Sequence, residues 1–199
     1  MIKLFNNGLL DSNTYVYATE TGNAMIIDFG VPLDTVLEYV KEKSLTVDYL
    51  VLTHGHYDHI NYIGDYKKAF HDATVICHEE EMPLICDPEG NLSSYFGLNN
   101  SYDVGYKTVR EGDRVLLKNG GECTIFEVIH APGHTPGCIC LYEPNEKIMF
   151  TGDVVFANGY GRTDFKYASP SDMINSLRRI YKGYKGVTIY PGHYESAEL

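Results

Sequence analysis

Short stretches of alternating apolar and polar residues recur along the chain. Near its start, residues 2–5, 14–18 and 24–28 form three such stretches, separated by turns that contain Asn or Gly. Short runs of this kind, bounded by turn residues, are typical of β-strands. We therefore predict that three short antiparallel strands begin the fold.

The next part of the chain alternates between helical and extended patterns. Val36, Leu37 and Val40 recur at helical spacing within residues 33–43, and a continuous apolar stretch follows at 47–52. Spacing of three to four residues predicts a helix, and a short continuous apolar run predicts a buried strand. The further elements predicted here are a helix over 60–70, a strand over 73–77 and a short helix over 79–85.

Residues 87–109 form a long segment rich in Asn, Gly and Tyr, with no clear periodicity. The segment is too long for an ordinary connection. Long loops of this kind often form lids or substrate walls. The alternative is an irregular surface insertion, and the sequence does not decide between the two.

The strand pattern resumes after Asp113, and one more helix precedes the last strand. Ser169 is a candidate N-cap and Pro170 stands at the first helical position, which predicts a helix through about residue 181. Two groups of strands, each accompanied by helices, indicate an α/β fold with two sheets packed face to face and helices outside. No linker divides the sequence, so we expect a single domain over 1–199. The predicted strands of this half are 114–117, 123–130, 138–142, 147–150 and 187–190.

Composition and charge narrow the class of partners. With 44% hydrophobic and 22% charged residues the chain has a globular composition, and its formal net charge is -11. Such a charge disfavours binding to nucleic acid or anionic lipid. No apolar run approaches the roughly 20 residues that span a bilayer, and no signal peptide is recognisable. We expect a cytoplasmic protein that acts on a small molecule, with neither nucleic acid nor membrane as partner; the oligomeric state stays open.

The five cysteines do not form a regular framework. Cys77, Cys86, Cys123, Cys138 and Cys140 lie mostly in apolar, strand-like stretches. An odd count without regular spacing favours buried free thiols over disulfides. A metal or redox role for Cys138 and Cys140 is a weaker alternative, because a single C-x-C pair carries little information.

Four potential metal ligands follow the predicted strand at 47–52 within six residues. His54 and His56 are two residues apart, so in extended backbone both imidazoles project to one side and can hold one ion. Asp58 and His59 come next, on a turn, and would point toward a neighbouring position. This density of ligands at a strand end indicates a metal site.

Three more potential ligands follow apolar strands later in the chain. They are His134 in Pro-Gly-His-Thr-Pro-Gly, Asp153 in Phe-Thr-Gly-Asp and His193 in Tyr-Pro-Gly-His. Each motif alone could mark an ordinary turn, but their joint occurrence supports a shared site. We interpret the remaining histidines as surface or core residues: His71, His78 and His130.

These motifs resemble the metallo-β-lactamase superfamily, and most closely its glyoxalase II-like branch. The resemblance covers nearly the whole chain and includes Ser-Asn-Thr-Tyr at 12–15, Ile-Asp-Phe-Gly at 27–30 and Gly-Arg-Thr-Asp-Phe at 161–165. It implies an αββα sandwich with two divalent metal ions at one edge between the sheets. It also implies the ligands: His54, His56 and His134 for one ion, Asp58, His59 and His193 for the other, and Asp153 bridging both.

The resemblance and the ligand types together suggest a reaction. Imidazoles and carboxylates suit zinc first, and iron or manganese as well. Two ions about 3.5–4 Å apart can activate a shared water, which would attack a thioester, ester or lactone carbonyl. Asp58 would orient that water and accept its proton as the catalytic residue. Asp153 stands where lactam-cleaving relatives usually have cysteine, which favours a thioesterase-type enzyme.

Two departures and two alternatives qualify this hypothesis. Only six residues follow His193, so we expect no C-terminal helical glutathione-binding domain of the glyoxalase II type. The family commonly has glycine after the final Pro-Gly-His, where this chain has Tyr194. The first alternative is a mononuclear iron persulfide dioxygenase that uses mainly His54, His134 and Asp153. The second is a non-catalytic, metal-stabilised binding module.

Overall fold

The computed structural model describes residues 1–199, whose twelve strands form two six-stranded sheets. In the first sheet the strands follow chain order. In the second sheet the order runs from β12 to β7. The strands of the first sheet are β1 (Ile2–Phe5), β2 (Thr14–Ala18), β3 (Asn23–Ile27), β4 (Thr46–Val51), β5 (Thr74–His78) and β6 (Tyr106–Val109). Those of the second are β7 (Arg114–Asn119), β8 (Glu122–His130), β9 (Ile139–Glu143), β10 (Ile148–Gly152), β11 (Thr188–Pro191) and β12 (Ala197–Glu198).

Both sheets mix parallel and antiparallel pairs. In the first, β1, β2 and β3 pair antiparallel, as the sequence predicts, and β3 to β6 pair parallel. In the second, only β10 and β11 are parallel. Parallel neighbours need crossover connections, and helices provide most of these connections in the first sheet.

Five α-helices cover the outer faces of the sheets. The last helix begins as predicted, because the Ser169 hydroxyl accepts a hydrogen bond from the Asp172 amide at 3.3 Å and Pro170 occupies the first position. In the first helix, Val36 and Val40 face the core. The helices are α1 (Leu33–Glu42), α2 (Tyr57–Ile60), α3 (Ile63–Ala69), α4 (Met82–Ile85) and α5 (Pro170–Gly183).

Alternation along the strands separates the apolar core into three layers. In β3, Met25 and Ile27 pack between the two sheets, whereas Ala24 and Ile26 pack beneath the helices of the first sheet. In the second sheet, Ile129 and Met149 face α5. Side chains of a strand alternate between its faces, so both sheets are covered on both sides. The layers follow the order helix, sheet, sheet, helix, which confirms the predicted αββα sandwich.

The structure differs from the sequence prediction in three details. The helix predicted over 60–70 is present as α3, and it is separated by a turn at 61–62 from α2, which begins at Tyr57 inside the histidine motif. Residues 106–109 are not loop but β6, an edge strand parallel to β5. β12 was not predicted, because a two-residue strand carries no periodic signal.

The rest of the long segment is an ordered loop. Buried Asn91 anchors it, because its side-chain amide donates to the carbonyls of Ile85 at 3.0 Å and Asn100 at 2.9 Å. The Asn91 carbonyl in turn accepts from the Tyr57 amide at 2.7 Å. A polar side chain used in this way fixes irregular backbone that has no sheet partner. The loop is thereby tied to the start of the histidine-bearing helix α2.

All five cysteines are free thiols. Cys77, Cys138 and Cys140 are buried, as predicted, whereas Cys86 and Cys123 are exposed. The prediction of burial was wrong for these two because Cys86 follows the end of α4 and Cys123 lies at the solvent-facing start of β8. None of the helices is both long and apolar enough to cross a bilayer.

Neighbouring leucines in β7 allow a matched test of the layer between the sheets. Leu117 is fully buried there, and Leu116 faces solvent on the opposite side of the same strand. We expect Leu117→Ala to lower the free energy of unfolding by about 2–5 kcal/mol. Leu116→Ala should change it by no more than about 0.5 kcal/mol. Urea denaturation of both variants checks this, and equal effects would contradict the assigned faces.

Candidate metal centre

The seven residues singled out in the sequence converge at one edge of the sandwich. His54, His56, Asp58 and His59 follow β4, and the other three lie in loops after β8, β10 and β11. All are buried except His193, which is partly exposed. The ends of several strands thus bring together side chains that are distant in sequence.

The seven side chains form two clusters joined by one carboxylate. Possible ligand atoms of His54, His56 and His134 all lie within 4.8 Å of one another, as do those of Asp58, His59 and His193. Asp153 Oδ2 is 3.4 Å from His134 Nε2 in the first cluster and 3.5 Å from His193 Nε2 in the second. The geometry therefore contains two sets of three donors with Asp153 between them.

Unsatisfied polar atoms in the first cluster and on Asp153 fit a bound cation. His54 Nε2, His56 Nε2 and Asp153 Oδ1 are buried without a hydrogen-bond partner, a costly arrangement in a protein interior. Ring nitrogens also face each other, with His56 Nδ1 2.8 Å from His134 Nε2 and His59 Nε2 3.3 Å from His193 Nε2. Imidazole and carboxylate donors of this kind suit divalent zinc, iron or manganese.

Burial keeps the first cluster neutral. It lowers the pKa of His54 and His56 well below the usual value, and it lowers the pKa of His134 as well. Desolvation disfavours the charged form of an imidazole. Metal ions bind the neutral imidazole, so these three rings are ready to act as ligands at neutral pH.

The second cluster is dominated by charge. Burial opposes a charge on His59, yet the carboxylates of Asp58, Asp153 and Asp28 raise its pKa to about 10. Burial alone would likewise raise the pKa of Asp58, but His59 and His193 hold it well below its usual range. Buried carboxylates require a cationic partner. This position therefore attracts positive charge.

Asp28 supports the cluster from behind and was not identified as a functional residue in the sequence. Its carboxylate accepts hydrogen bonds from the Thr53 amide and hydroxyl, both at 2.8 Å, and from His59 Nδ1 at 2.9 Å. His59 is thereby oriented with Nε2 toward the site, an arrangement typical of supported metal ligands. Asp28 directly follows β3 and has a φ of 59°. In this position its carboxylate reaches Thr53.

The Ser-Asn-Thr-Tyr segment holds two of the ligand-bearing loops. Ser12 Oγ donates to the Asp58 carbonyl at 2.7 Å. The Asn13 amide donates to the Pro191 carbonyl at 2.9 Å and to the Tyr194 carbonyl at 2.8 Å, on either side of His193. The first loop of the chain therefore fixes both halves of the second cluster.

Glycine is required beside the site at position 192. A Cβ atom there would collide with Asp153 Oδ1 and would lie 2.8 Å from the His59 ring. Only a residue without a side chain permits the backbone to pass so close to these two groups. Steric constraints therefore explain why the last Pro-Gly-His motif has glycine at this position.

Glu81 joins two ligand-bearing loops and was missed in the sequence. Its fully buried carboxyl group accepts from the Gly55 amide at 2.7 Å, the Gly137 amide at 2.7 Å and the Thr135 hydroxyl. Burial raises the pKa of Glu81 to about 7, and the three donors act in the opposite direction. The group links the loop of His54 and His56 to that of His134. The sequence has three consecutive glutamates at 79–81, and this pattern does not indicate that one of them is buried in the protein interior.

The centre opens into a cleft of about 600 Å³. Its floor includes His56, Asp58, His134, Asp153 and His193, and its walls are largely apolar or aromatic. No serine or cysteine side chain lines it. A small molecule can therefore reach both clusters, and the cleft offers no hydroxyl or thiol nucleophile from those residue types.

The remaining histidines lie outside the cleft, as predicted. His71 is exposed, and the rings of His78 and His130 stack in parallel at 3.9 Å between their centroids. Arg162 and Asp164, from the Gly-Arg-Thr-Asp-Phe segment, form an ion pair with guanidinium-to-carboxylate distances of 2.9 and 2.7 Å. The Arg162 carbonyl also accepts from His134 Nδ1 at 2.7 Å, which orients that ring.

Glu81 and its neighbour Glu80 allow a matched test. Glu81→Gln places an amide NH₂ against a backbone donor, so we expect the free energy of unfolding to fall by about 1–3 kcal/mol. Because both loops lose a support, metal affinity should fall about 10–100-fold. Glu80→Gln, at an exposed side chain, should change neither. Denaturation and metal titration of both variants check this, and unaltered metal affinity in Glu81→Gln would refute the positioning role.

The chain is similar to known proteins in both sequence and structure. The family model for the metallo-beta-lactamase superfamily matches residues 7–193. A hydroxyacylglutathione hydrolase, GloC, from Haemophilus influenzae is 33% identical over 86% of this chain and 80% of its own length. Both the motifs and the length of the match therefore agree with the resemblance found in the sequence.

Three solved structures share the fold. The BLEG-1 B3 metallo-beta-lactamase has a TM-score of 0.88 at 26% identity, covering all of this chain and 94% of that one. TTHA1623 in a di-iron-bound form has a TM-score of 0.85 at 28% identity, covering 98% and 94%. ETHE1 from Myxococcus xanthus has a TM-score of 0.77 at 27% identity, covering 100% and 79%. The chain belongs to the metallo-β-lactamase superfamily and is a glyoxalase II-like member of it.

Proposed function

We propose that the protein is a dinuclear metal-dependent hydrolase that cleaves a thioester or a related ester or lactone. The observation that carries the proposal is the pair of donor clusters joined by Asp153 at the floor of an open cleft. A structural metal site is usually closed by its protein ligands, whereas a catalytic site opens toward the substrate. The open cleft above both donor clusters supports a site of the second kind.

The donor set indicates which residues would hold the ions. His54, His56 and His134 would bind one ion, Asp58, His59 and His193 the other, and Asp153 both. Two divalent ions in such a site lower the pKa of water and polarise a substrate carbonyl. Zinc is the first candidate, and iron or manganese is also compatible with these donors.

Asp58 is the proposed proton acceptor. Its Oδ2 lies 3.2 Å from His193 Nε2 and 3.6 Å from His59 Nε2, and the carboxylate borders the cleft. The neighbouring imidazoles keep Asp58 ionised, so it can accept a hydrogen bond from a water molecule and orient it toward a carbonyl. Asp28 and Ser12 hold this half of the site in place. The residues of the chain thus orient a nucleophile that comes from solvent.

The related proteins support this reaction class and also define the competing ones. The likeness to the hydroxyacylglutathione hydrolase of Haemophilus influenzae supports a thioester as the substrate of this protein. The likeness to BLEG-1 keeps a β-lactam among the substrates to be tested. The likeness to ETHE1 keeps the mononuclear iron persulfide dioxygenase as an alternative, which would use mainly His54, His134 and Asp153.

A substrate panel with matched variants tests the proposal. The panel contains thioesters, esters, lactones and a β-lactam. We expect purified protein to hydrolyse at least one thioester, ester or lactone, to lose this activity with a chelator and to regain it with divalent metal. Asp58→Ala should lower kcat at least about 100-fold, because proton transfer is lost. Asp72→Ala, at a highly exposed carboxylate on the surface, should leave kcat unchanged. Turnover and bound metal are measured for each protein.

Several outcomes would contradict the proposal. Near-normal turnover in Asp58→Ala with both metals bound would exclude the assigned proton acceptor. Oxygen consumption with glutathione persulfide, at one iron per chain and without hydrolysis, would favour the dioxygenase. Full metal loading without turnover of any substrate in the panel would favour a binding module.

A further inference from the structure

Large apolar side chains stand exposed around the mouth of the cleft. Leu10, Tyr160 and Tyr194 all line it, although 63%, 55% and 71% of their surfaces are accessible. The Phe156 ring packs edge-to-face against Tyr194 at 5.4 Å between centroids and continues this wall toward His193. Contiguous exposed apolar surface commonly marks a binding site. We refer to Leu10, Phe156, Tyr160 and Tyr194 as the apolar rim.

Two members of the apolar rim have backbone conformations that disfavour large residues. Leu10 has φ 55° and Tyr194 has φ 67°, both in the left-handed region that glycine adopts without strain. The Asn13 amide holds the Tyr194 carbonyl at 2.8 Å. Strained residues of this kind concentrate at functional sites. Both side chains are largely exposed, so burial in the core does not account for a large apolar residue at either position.

The cleft also lacks an unpaired basic side chain. Arg162 is the only lysine or arginine that lines it, and its Nε and Nη2 donate to the two carboxylate oxygens of Asp164 at 2.9 and 2.7 Å. Nearby Lys166 is bound to Asp87 at 2.9 Å and to Glu89 at 2.6 Å. A carboxylate on an incoming substrate would therefore have to compete with carboxylates of the protein.

We propose that the cleft selects thioesters whose group at the mouth is apolar and uncharged, and disfavours thiols that carry carboxylates, such as glutathione. This inference rests on the proposed hydrolase function and specifies its substrate class. Leu10 and Tyr194 determine specificity by contact with the apolar group. Asp164 contributes to specificity because its ion pair with Arg162 prevents that arginine from binding an anionic group of the substrate.

Thioesters with one acyl group and different thiols test the substrate class. The thiols are glutathione, which is anionic, N-acetylcysteamine, which is neutral, and benzyl mercaptan, which is neutral and apolar. We expect kcat/KM to rise in this order and to be at least about ten-fold higher for benzyl mercaptan than for glutathione. Equal or higher kcat/KM for the glutathione thioester would overturn the inference.

Glycine variants test the apolar rim without disturbing the fold. Leu10→Gly and Tyr194→Gly remove the side chains, and glycine adopts both backbone conformations without strain. We expect the melting temperature to stay at or above that of the wild type. For the benzyl thioester, kcat/KM should fall about five- to ten-fold, mainly through KM. Unchanged KM in both variants would overturn the role of the rim.

Asp164 can be tested by a charge-matched pair of variants. Asp164→Asn frees Arg162, so kcat/KM for the glutathione thioester should rise about three- to five-fold, the range expected for an exposed ion pair. Asp65→Asn removes the same charge from a carboxylate that pairs with Lys68 outside the cleft. It should not change the preference among the three thiols. If kcat/KM for the glutathione thioester rose equally in both variants, the change in net charge would explain the effect. The role of Asp164 would then be overturned.

The two proposals fail in different ways. Absence of metal-dependent hydrolysis for all three thioesters would count against the hydrolase function. Hydrolysis with a preference for glutathione would leave that function intact and overturn only the assigned substrate class.

Discussion

The central constraint on this structure is the large number of buried imidazole nitrogens and carboxylate oxygens around Asp153. Its carboxylate contacts His134 in one cluster and His193 in the other, while one of its oxygens and two imidazole nitrogens have no partner in the protein. Polar groups in an interior are costly unless they are satisfied. The three carboxylates near His59 add negative charge to the same small volume. Bound cations would satisfy both requirements together, which is why we propose two metal ions here.

The fold explains how such a costly arrangement is held. Three apolar layers fix the two sheets and their helices, and the ligand-bearing loops leave the ends of these strands. Hydrogen bonds donated by Ser12 and Asn13 and accepted by Asp28 and Glu81 then join the loops to one another. Supporting groups of this type orient metal ligands. Rigidity comes from the sandwich, and the exact orientation of the rings comes from these buried polar contacts.

The sequence predicted the layered fold and the convergence of seven side chains, because both leave local signals. Alternating apolar stretches mark the strands, and ligands at strand ends mark the site. Residues such as Glu81 and Asp28 could not be assigned in this way, since their roles arise from contacts with Gly137 and Thr53, which lie far away in sequence. The edge strand β6 was missed for a related reason, because its pairing with β5 stabilises a stretch with little periodicity of its own. The ligand roles themselves stay a prediction.

A crystal structure of purified protein, with anomalous diffraction recorded at the zinc, iron and manganese edges, tests the central claim most directly. The account predicts two metal peaks per chain, one beside His54, His56 and His134 and one beside Asp58, His59 and His193. Both peaks should lie within ligand distance of Asp153, at about 2.0–2.2 Å for zinc. Metal bound elsewhere, or an active protein without metal at either cluster, would contradict it.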